Sequence, residues 1–142
     1  MAFNSIYKIA GSAMNAQTVR LNTVASNLAN ANSAASSADA VYQARKPVFA
    51  SIYENGELTR SAGMGGAHVL VLDVITDTAE AKRRYEPNNP LADRDGYVSY
   101  SNVNEIEEMT DMMSASRSFE TNVEVLNRIK AMQQGLLRLG ES

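Results

Sequence analysis

The residues that could carry chemistry are few. The single histidine, His68, stands beside the apolar run Val69 to Ile75 with no acidic companion to orient it, so base-assisted nucleophilic catalysis lacks its second member. A structural or surface role suits it better. Gly63-Met64-Gly65-Gly66 lacks the third glycine of a dinucleotide site and a helix signal after it, and reads as a flexible loop. Asp93-Arg94-Asp95-Gly96 has the Asp-x-Asp-Gly order of a calcium loop, but Leu91 and Asn102 occupy the first and twelfth positions, where such a loop needs its strongest ligands. An Asp/Gly turn is the reading that remains. Met109, Met112 and Met113 could form an adaptable binding groove or simply the seam of a helix. Neither a Gly-x-Ser-x-Gly elbow, a P-loop nor a His-Glu-x-x-His pair occurs. The sequence therefore offers no catalytic residue, no cofactor and no metal ligand.

The whole chain narrows the classes further. Leu, Ile, Val and Phe make up 30 of 142 residues and tryptophan is absent, so a core built by one copy alone is thin and burial against neighbours is expected. A net charge of −3 without a basic run removes the electrostatic basis of nucleic-acid binding. Zero cysteines exclude disulfides and thiolate metal sites. Asn4, Ser5, Lys8, Ser12, Asn15 and Gln17 interrupt any apolar stretch of signal-peptide length, and no segment is apolar enough to span a bilayer. The expectation is a cytoplasmic protein or one exported without a cleavable signal.

The elements that would position these residues are two long helices around a small β-rich middle. Phe3, Tyr7, Ala10, Met14, Gln17, Leu21, Val24, Leu28 and Ala31 recur at spacings of four and three, a heptad seam. Asn4 or Ser5 can cap that helix, and the polar cluster Asn30, Asn32, Ser33 with the Ala/Ser stretch to Ala40 predicts a frayed end. At the other end Met109, Met112, Ser116, Phe119, Val123 and Leu126, then Ile129, Met132, Leu136 and Leu139 after a three-residue slip, predict a second seam with a stammer. Asn102 and Glu105 have capping-box spacing, and Gly140 suits a C-cap. Glu105, Glu107 and Glu108 precede Arg128, Lys130 and Arg138, as the helix dipole favours, and Glu124 to Arg128 is a favourable i,i+4 pair. In the middle, Pro47 to Tyr53 with Asn55-Gly56 and Leu58-Thr59 predicts a hairpin, Val69 to Ile75 a strand and Tyr97 to Tyr100 another. The expected fold is mainly α, its N- and C-terminal helices pairing as a coiled-coil-like bundle: residues 1–35, a middle over 36–100, and 101–142. Such seams can equally pack inside an ordinary globular bundle.

Asn27-Leu28-Ala29-Asn30-Ala31-Asn32-Ser33 resembles the Asn-Leu-Ala-Asn signature of flagellar rod, hook and related axial proteins, with Ser33 in place of the usual threonine. Tyr85-Glu86-Pro87, Pro90, Ala92-Asp93, Gly96-Tyr97-Val98 and Asn102-Val103-Asn104 are similar to the basal-body rod proteins of that family. So, in order and spacing, are Glu108-Met109, Met112, Ala115-Ser116-Arg117-Ser118, Asn122 and Val125-Leu126-Asn127. The resemblance covers nearly the whole chain. It implies a non-enzymatic structural subunit of the proximal rod of the bacterial flagellum, a torque-transmitting shaft and export-channel wall in the periplasm, reached through the flagellar type III export apparatus. It implies as partners further copies, the rod proteins FlgB, FlgF and FlgG, and the rod-base adaptor FliE, with no cofactor. It places the assembly interface at Tyr7, Met14, Leu21, Val24, Asn27, Leu28 and Asn30 of the first helix. On the second helix it takes in Met109, Met112, Phe119, Asn122, Val123, Leu126, Asn127, Ile129 and Leu136. A cytoplasmic coiled-coil adaptor or secretion chaperone shares the small, acidic, helix-rich profile but needs neither signature.

Overall fold

The computed structural model describes residues 2–53 and 67–140. Helix α1 spans Ala2–Ala29 and helix α2 spans Glu105–Gly140, with strands β1 (Ala34–Ala35), β2 (Arg45–Tyr53), β3 (Ala67–Thr76), β4 (Lys82–Tyr85) and β5 (Tyr97–Tyr100) between them. The strands form two sheets: β2 and β3 an antiparallel pair, and β1, β5 and β4 a three-stranded sheet in that order. The two long helices and the small β-rich middle are as the sequence leads one to expect.

Several local expectations are corrected. Helix α1 is already formed at Ala2, which puts Asn4 and Ser5 inside it. Its far end closes in tight turns instead of fraying, with Asn30 N–H donating to Ser26 O at 3.2 Å and Ala31 N–H to Leu28 O at 3.3 Å. The Ala/Ser stretch then supplies β1, which pairs Ala34 with Tyr100 and Ala35 with Ser99. The cap of α2 is Asn104, whose Oδ1 accepts from Ile106 N–H at 3.2 Å while its carbonyl accepts from Glu108 N–H at 3.0 Å. Asn102, the expected cap, is used elsewhere. Helix α2 continues through Gly140. The Glu124–Arg128 pair forms, with Arg128 Nε donating to Glu124 Oε1 at 3.1 Å.

Strand β2 pairs along its length with β3, from Arg45 opposite Thr76 to Tyr53 opposite Ala67, with a bulge between Val48 and Phe49. The Asn55-Gly56 turn, Leu58-Thr59 and the Gly63 to Gly66 loop lie outside the described residues. Strand β4, Lys-Arg-Arg-Tyr, has no apolar alternation to announce it and is exposed throughout. Its arginines lie instead over tyrosines of β5, Arg83 at 4.8 Å from the Tyr97 ring centre and Arg84 at 5.1 Å from that of Tyr100.

The Asp93 to Gly96 segment is a turn, and both oxygens of the Asp93 carboxylate are engaged. Asp93 Oδ1 accepts from the amides of Asp95 at 3.0 Å and Tyr97 at 2.8 Å, and Oδ2 from Arg83 at 2.8 Å. The Tyr97 amide, above the other contacts, holds the Asp93 carboxyl below its ordinary range. Gly96 closes the turn at φ +82°, where an added Cβ would lie 2.9 Å from Tyr85 Cε2. The exposed Tyr85 ring can swing aside, but the left-handed backbone cannot be relieved. Gly96→Ala should therefore destabilise the protein by about 1–2 kcal/mol in urea unfolding, and an unchanged midpoint would show the turn to be free to relax.

Candidate assembly surface and the polar joint beside it

Helices α1 and α2 pack against each other antiparallel, as two side-chain bonds define. Tyr7 OH donates to Gln133 Oε1 at 3.2 Å, and Arg20 pairs with Asp111 at 2.6 Å. On α1 the expected seam holds: Tyr7, Met14, Gln17, Leu21 and Leu28 are half-buried and Ala10, Val24 and Ala31 buried. A second stripe, Ser12, Ala16, Val19 and Thr23, is also withdrawn from solvent. Ser12 Oγ accepts from Val69 N–H at 3.1 Å, so this stripe faces the β2–β3 pair. Small residues made it invisible to a search for large apolar ones.

On α2 the seam runs through Glu108, Met112, Ala115, Phe119, Asn122, Leu126, Ile129 and Gln133, all buried or half-buried and spaced by four and three without interruption. The stammer disappears. Expected seam residues Met112, Phe119, Leu126 and Ile129 lie on this stripe, and Val123 is half-buried beside it. Met109, Ser116 and Met132, by contrast, are exposed. Polar Glu108 and Gln133 hold inward positions while their apolar neighbours Met109 and Met132 face solvent, and polar Asn122 is also inward, which is why hydrophobicity alone gave the wrong register. Leu136 continues the stripe one step beyond Gln133, level with the first turn of α1, and is 57% exposed. Asn127 is exposed.

The outward faces of α2 are consequently rich in large apolar groups. Ile106, Met109 and Met113 cluster near its start, and Met132, Leu136, Leu137 and Leu139 near its end. Counting Val125, eight large apolar side chains of α2 are exposed against five that are buried or half-buried, the reverse of a surface helix whose core is complete.

Beside this surface lies a joint made of asparagines. Asn27, 1% exposed, makes three side-chain hydrogen bonds. Its Oδ1 accepts from Arg45 N–H and from Tyr42 OH, both at 2.9 Å. Its Nδ2 donates to Arg45 O at 2.8 Å. The side-chain amide thus grips both polar groups of one β2 residue as a neighbouring strand would. Asn102 grips the residue before: its Oδ1 accepts from Ala44 N–H at 2.7 Å and its Nδ2 donates to Ala79 O at 3.0 Å. Asn32 Nδ2 donates to Glu105 Oε1 at 2.7 Å, tying the chain that leaves α1 to the start of α2. Asn30, by contrast, bonds only its own helix, Nδ2 to Ser26 O at 2.8 Å. The roles of Tyr42, Ala44, Arg45, Asn102 and Glu108 escaped sequence reasoning. The available signal was the density of asparagines at the two helix ends that flank the middle, which read there as a frayed end and a cap.

Electrostatics mark the same place. Lys46 of β2 binds Asp77 at 2.8 Å, raising the lysine and lowering the carboxyl, in each case first through their hydrogen bond. Burial raises the Glu108 carboxyl above its ordinary value. Among the described residues no cluster of His, Asp or Glu could hold a metal ion. His68 is half-buried on β3, opposite Ile52. What the arrangement can do is mechanical: it joins two helices and a hairpin at one point.

Comparison with known proteins gives this arrangement a context. Residues 8–34 match the flagella basal body rod protein family, and residues 94–139 match the C-terminal family of flagellar basal body rod FlgEFG proteins. The chain is 46% identical to flagellar basal-body rod protein FlgC of Escherichia coli O6:H1 and 45% to that of Salmonella typhimurium. It is 40% identical to the FlgC protein of Buchnera aphidicola from Schizaphis graminum. Each match covers 99% of this chain and 100% of the relative.

Proposed function

The chain belongs to the FlgC family of flagellar basal-body rod proteins, and from that premise we propose how this structural, non-enzymatic subunit builds a rod. Its place is the basal body and its partners are other rod components. The adaptor or chaperone reading is set aside by the full-length identity. Within one subunit the terminal helices pair in a coiled-coil-like way along the stripe from Glu108 to Gln133. Between subunits of the proximal rod, the outward groups at the two ends of α2 meet the terminal helices of neighbouring copies and of FlgB, FlgF, FlgG and FliE. The shaft so formed transmits torque and walls the export channel.

The observation that carries this reading is the apolar exposure of α2, with Ile106 at 76% and Met109 at 54%. A helix so presented gains by docking, since burying one such side chain contributes about 1.5–3 kcal/mol. The site residues divide accordingly: Met109 and Leu136 toward neighbours, Met112, Phe119, Leu126 and Ile129 toward α1, and Asn27 to the joint. Among the described residues no helix is long and apolar enough to cross a membrane. Export by the flagellar type III apparatus into the periplasm, without a cleavable signal, completes the proposal.

Amide exchange tests it. In the purified monomer, residues 134–139 should exchange rapidly, because that end of α2 has little tertiary burial, and in isolated basal bodies they should be protected by at least about tenfold. Equal exchange in the two states would remove α2 from the intersubunit contact.

A further inference from the structure

We propose that Met109, Met113 and Met132 form a modification site for hydroperoxides, and that their sulfoxides bar a free subunit from the rod while leaving its fold intact. The site is read from exposure, and its effect on assembly rests on the outward face of α2 being the intersubunit contact. Five of the seven methionines lie among the described residues. Met109, Met113 and Met132 are 54%, 63% and 55% exposed, whereas Met14 and Met112 are half-buried on the stripes along which α1 and α2 face each other. The chain has no cysteine, so no thiol of its own competes for the oxidant.

Placement gives the modification its reach. Ile106, Met109 and Met113 follow one another at helical spacing and share one outward face near the start of α2. Met132 and Leu136 share another near its end. A thioether on such a face is a flexible apolar group that moulds to a neighbouring helix. Oxidation breaks the O–O bond of the peroxide: one oxygen joins the methionine sulfur, which gives up two electrons, and the other leaves as water or an alcohol. The resulting sulfoxide is a polar acceptor. On the free subunit it stays hydrated, with little cost to the fold, but in an apolar contact it would have to give up that water. A dithiol reductant reverses the step, carrying the oxygen off as water and becoming a disulfide. A subunit oxidised before incorporation is thereby kept out of the shaft and remains open to repair.

Two measurements test it. In the purified full-length protein treated with hydrogen peroxide, peptide mass mapping should show Met109, Met113 and Met132 converted at least about fivefold faster than Met14 and Met112. The melting temperature should hold while only those three are converted. In cells, the unmodified subunit is then co-expressed at equal level with a chain carrying Met109→Leu, Met113→Leu and Met132→Leu, which keeps the apolar volume without the sulfur. The two should enter basal bodies equally without peroxide, and a peroxide pulse during assembly should favour the leucine chain by at least about threefold. Both chains draw on the same partners in the same cell, so oxidation of other proteins cancels. A chain with Met109→Gln and Met132→Gln, polar without any oxidant, should be under-represented in either condition. Equal incorporation of that glutamine chain would overturn the assembly contact and this proposal with it. Its exclusion, together with a leucine-to-unmodified ratio that ignores peroxide, would overturn the oxidation proposal alone. So would conversion of all five methionines at one rate, and that mapping decides by itself if the leucine chain is not incorporated.

Discussion

Replacing Asn27 with leucine should lower the stability of the monomer by about 3 kcal/mol, near 10 °C in melting temperature, the largest loss we expect from one side chain. The two residues are of similar volume, so the effect isolates hydrogen bonding from packing. Three partners lose their complement at once: the N–H and C=O of Arg45 and the Tyr42 hydroxyl. A buried polar group left without a partner costs about 1–3 kcal/mol, and water reaching the partly exposed Arg45 offsets part of the sum. Asn30→Leu is the matched control, because the side chain of Asn30 satisfies only a carbonyl of its own last turn. It should cost under about 1 kcal/mol. Equal losses from the two would mean that the amide network is incidental to the fold.

Met109→Asp and Leu136→Asp should abolish swimming and basal-body formation while leaving the monomer within about 0.5 kcal/mol of the parent. Both side chains are more than half exposed, at 54% and 57%, so the charge stays hydrated in the free subunit. Only in the assembled shaft would it have to enter an apolar contact, and an unpaired charge there costs several kcal/mol. At about 1.4 kcal/mol per factor of ten, each contact weakens more than a hundredfold. Leu126→Asp lies on the stripe facing α1 and should instead damage the monomer itself. Asn88→Asp, in an exposed turn, should do neither. Normal basal-body yield from the Met109 and Leu136 variants, at equal protein levels, would take both residues out of the interface.

The contrast between those residues explains how far the sequence could be read. The seam of α1 was legible because Tyr7, Met14, Leu21, Val24 and Leu28 are at once apolar and inward. On α2 the two properties part company: Glu108, Asn122 and Gln133 are inward and polar, while Met109, Met113 and Met132 are apolar and outward. A chain that buries part of its surface only against other chains breaks the rule that apolar means inside. Strand β4 was illegible for another reason, since Lys82 to Tyr85 is held by pairing with β5 and by arginines stacked on tyrosines, neither of which leaves a period in the sequence. Asn102 had capping-box spacing, but its amide is spent on Ala44 and Ala79 and the cap falls to Asn104. The candidate site was thus half visible: the signature asparagines could be singled out, whereas their partners exist only in three dimensions.

The pairing of β1 with β5 also governs the order in which the molecule can come together. Tyr7 and Gln133 are 126 residues apart, and bringing such distant segments into register from an open chain is entropically slow. Once Ala34 sits opposite Tyr100, however, the end of α1 and the start of α2 are already neighbours, and each further turn of contact closes only a small additional loop. The helices can then zip from the joint outward, with Asn27 and Glu108 meeting early and Tyr7 and Gln133 last. Opening runs the same path backwards, so the tips separate first at the least cost. In kinetic terms the subunit is hinged at its middle, and the ends that unzip most readily are those that carry Leu136 and its neighbours.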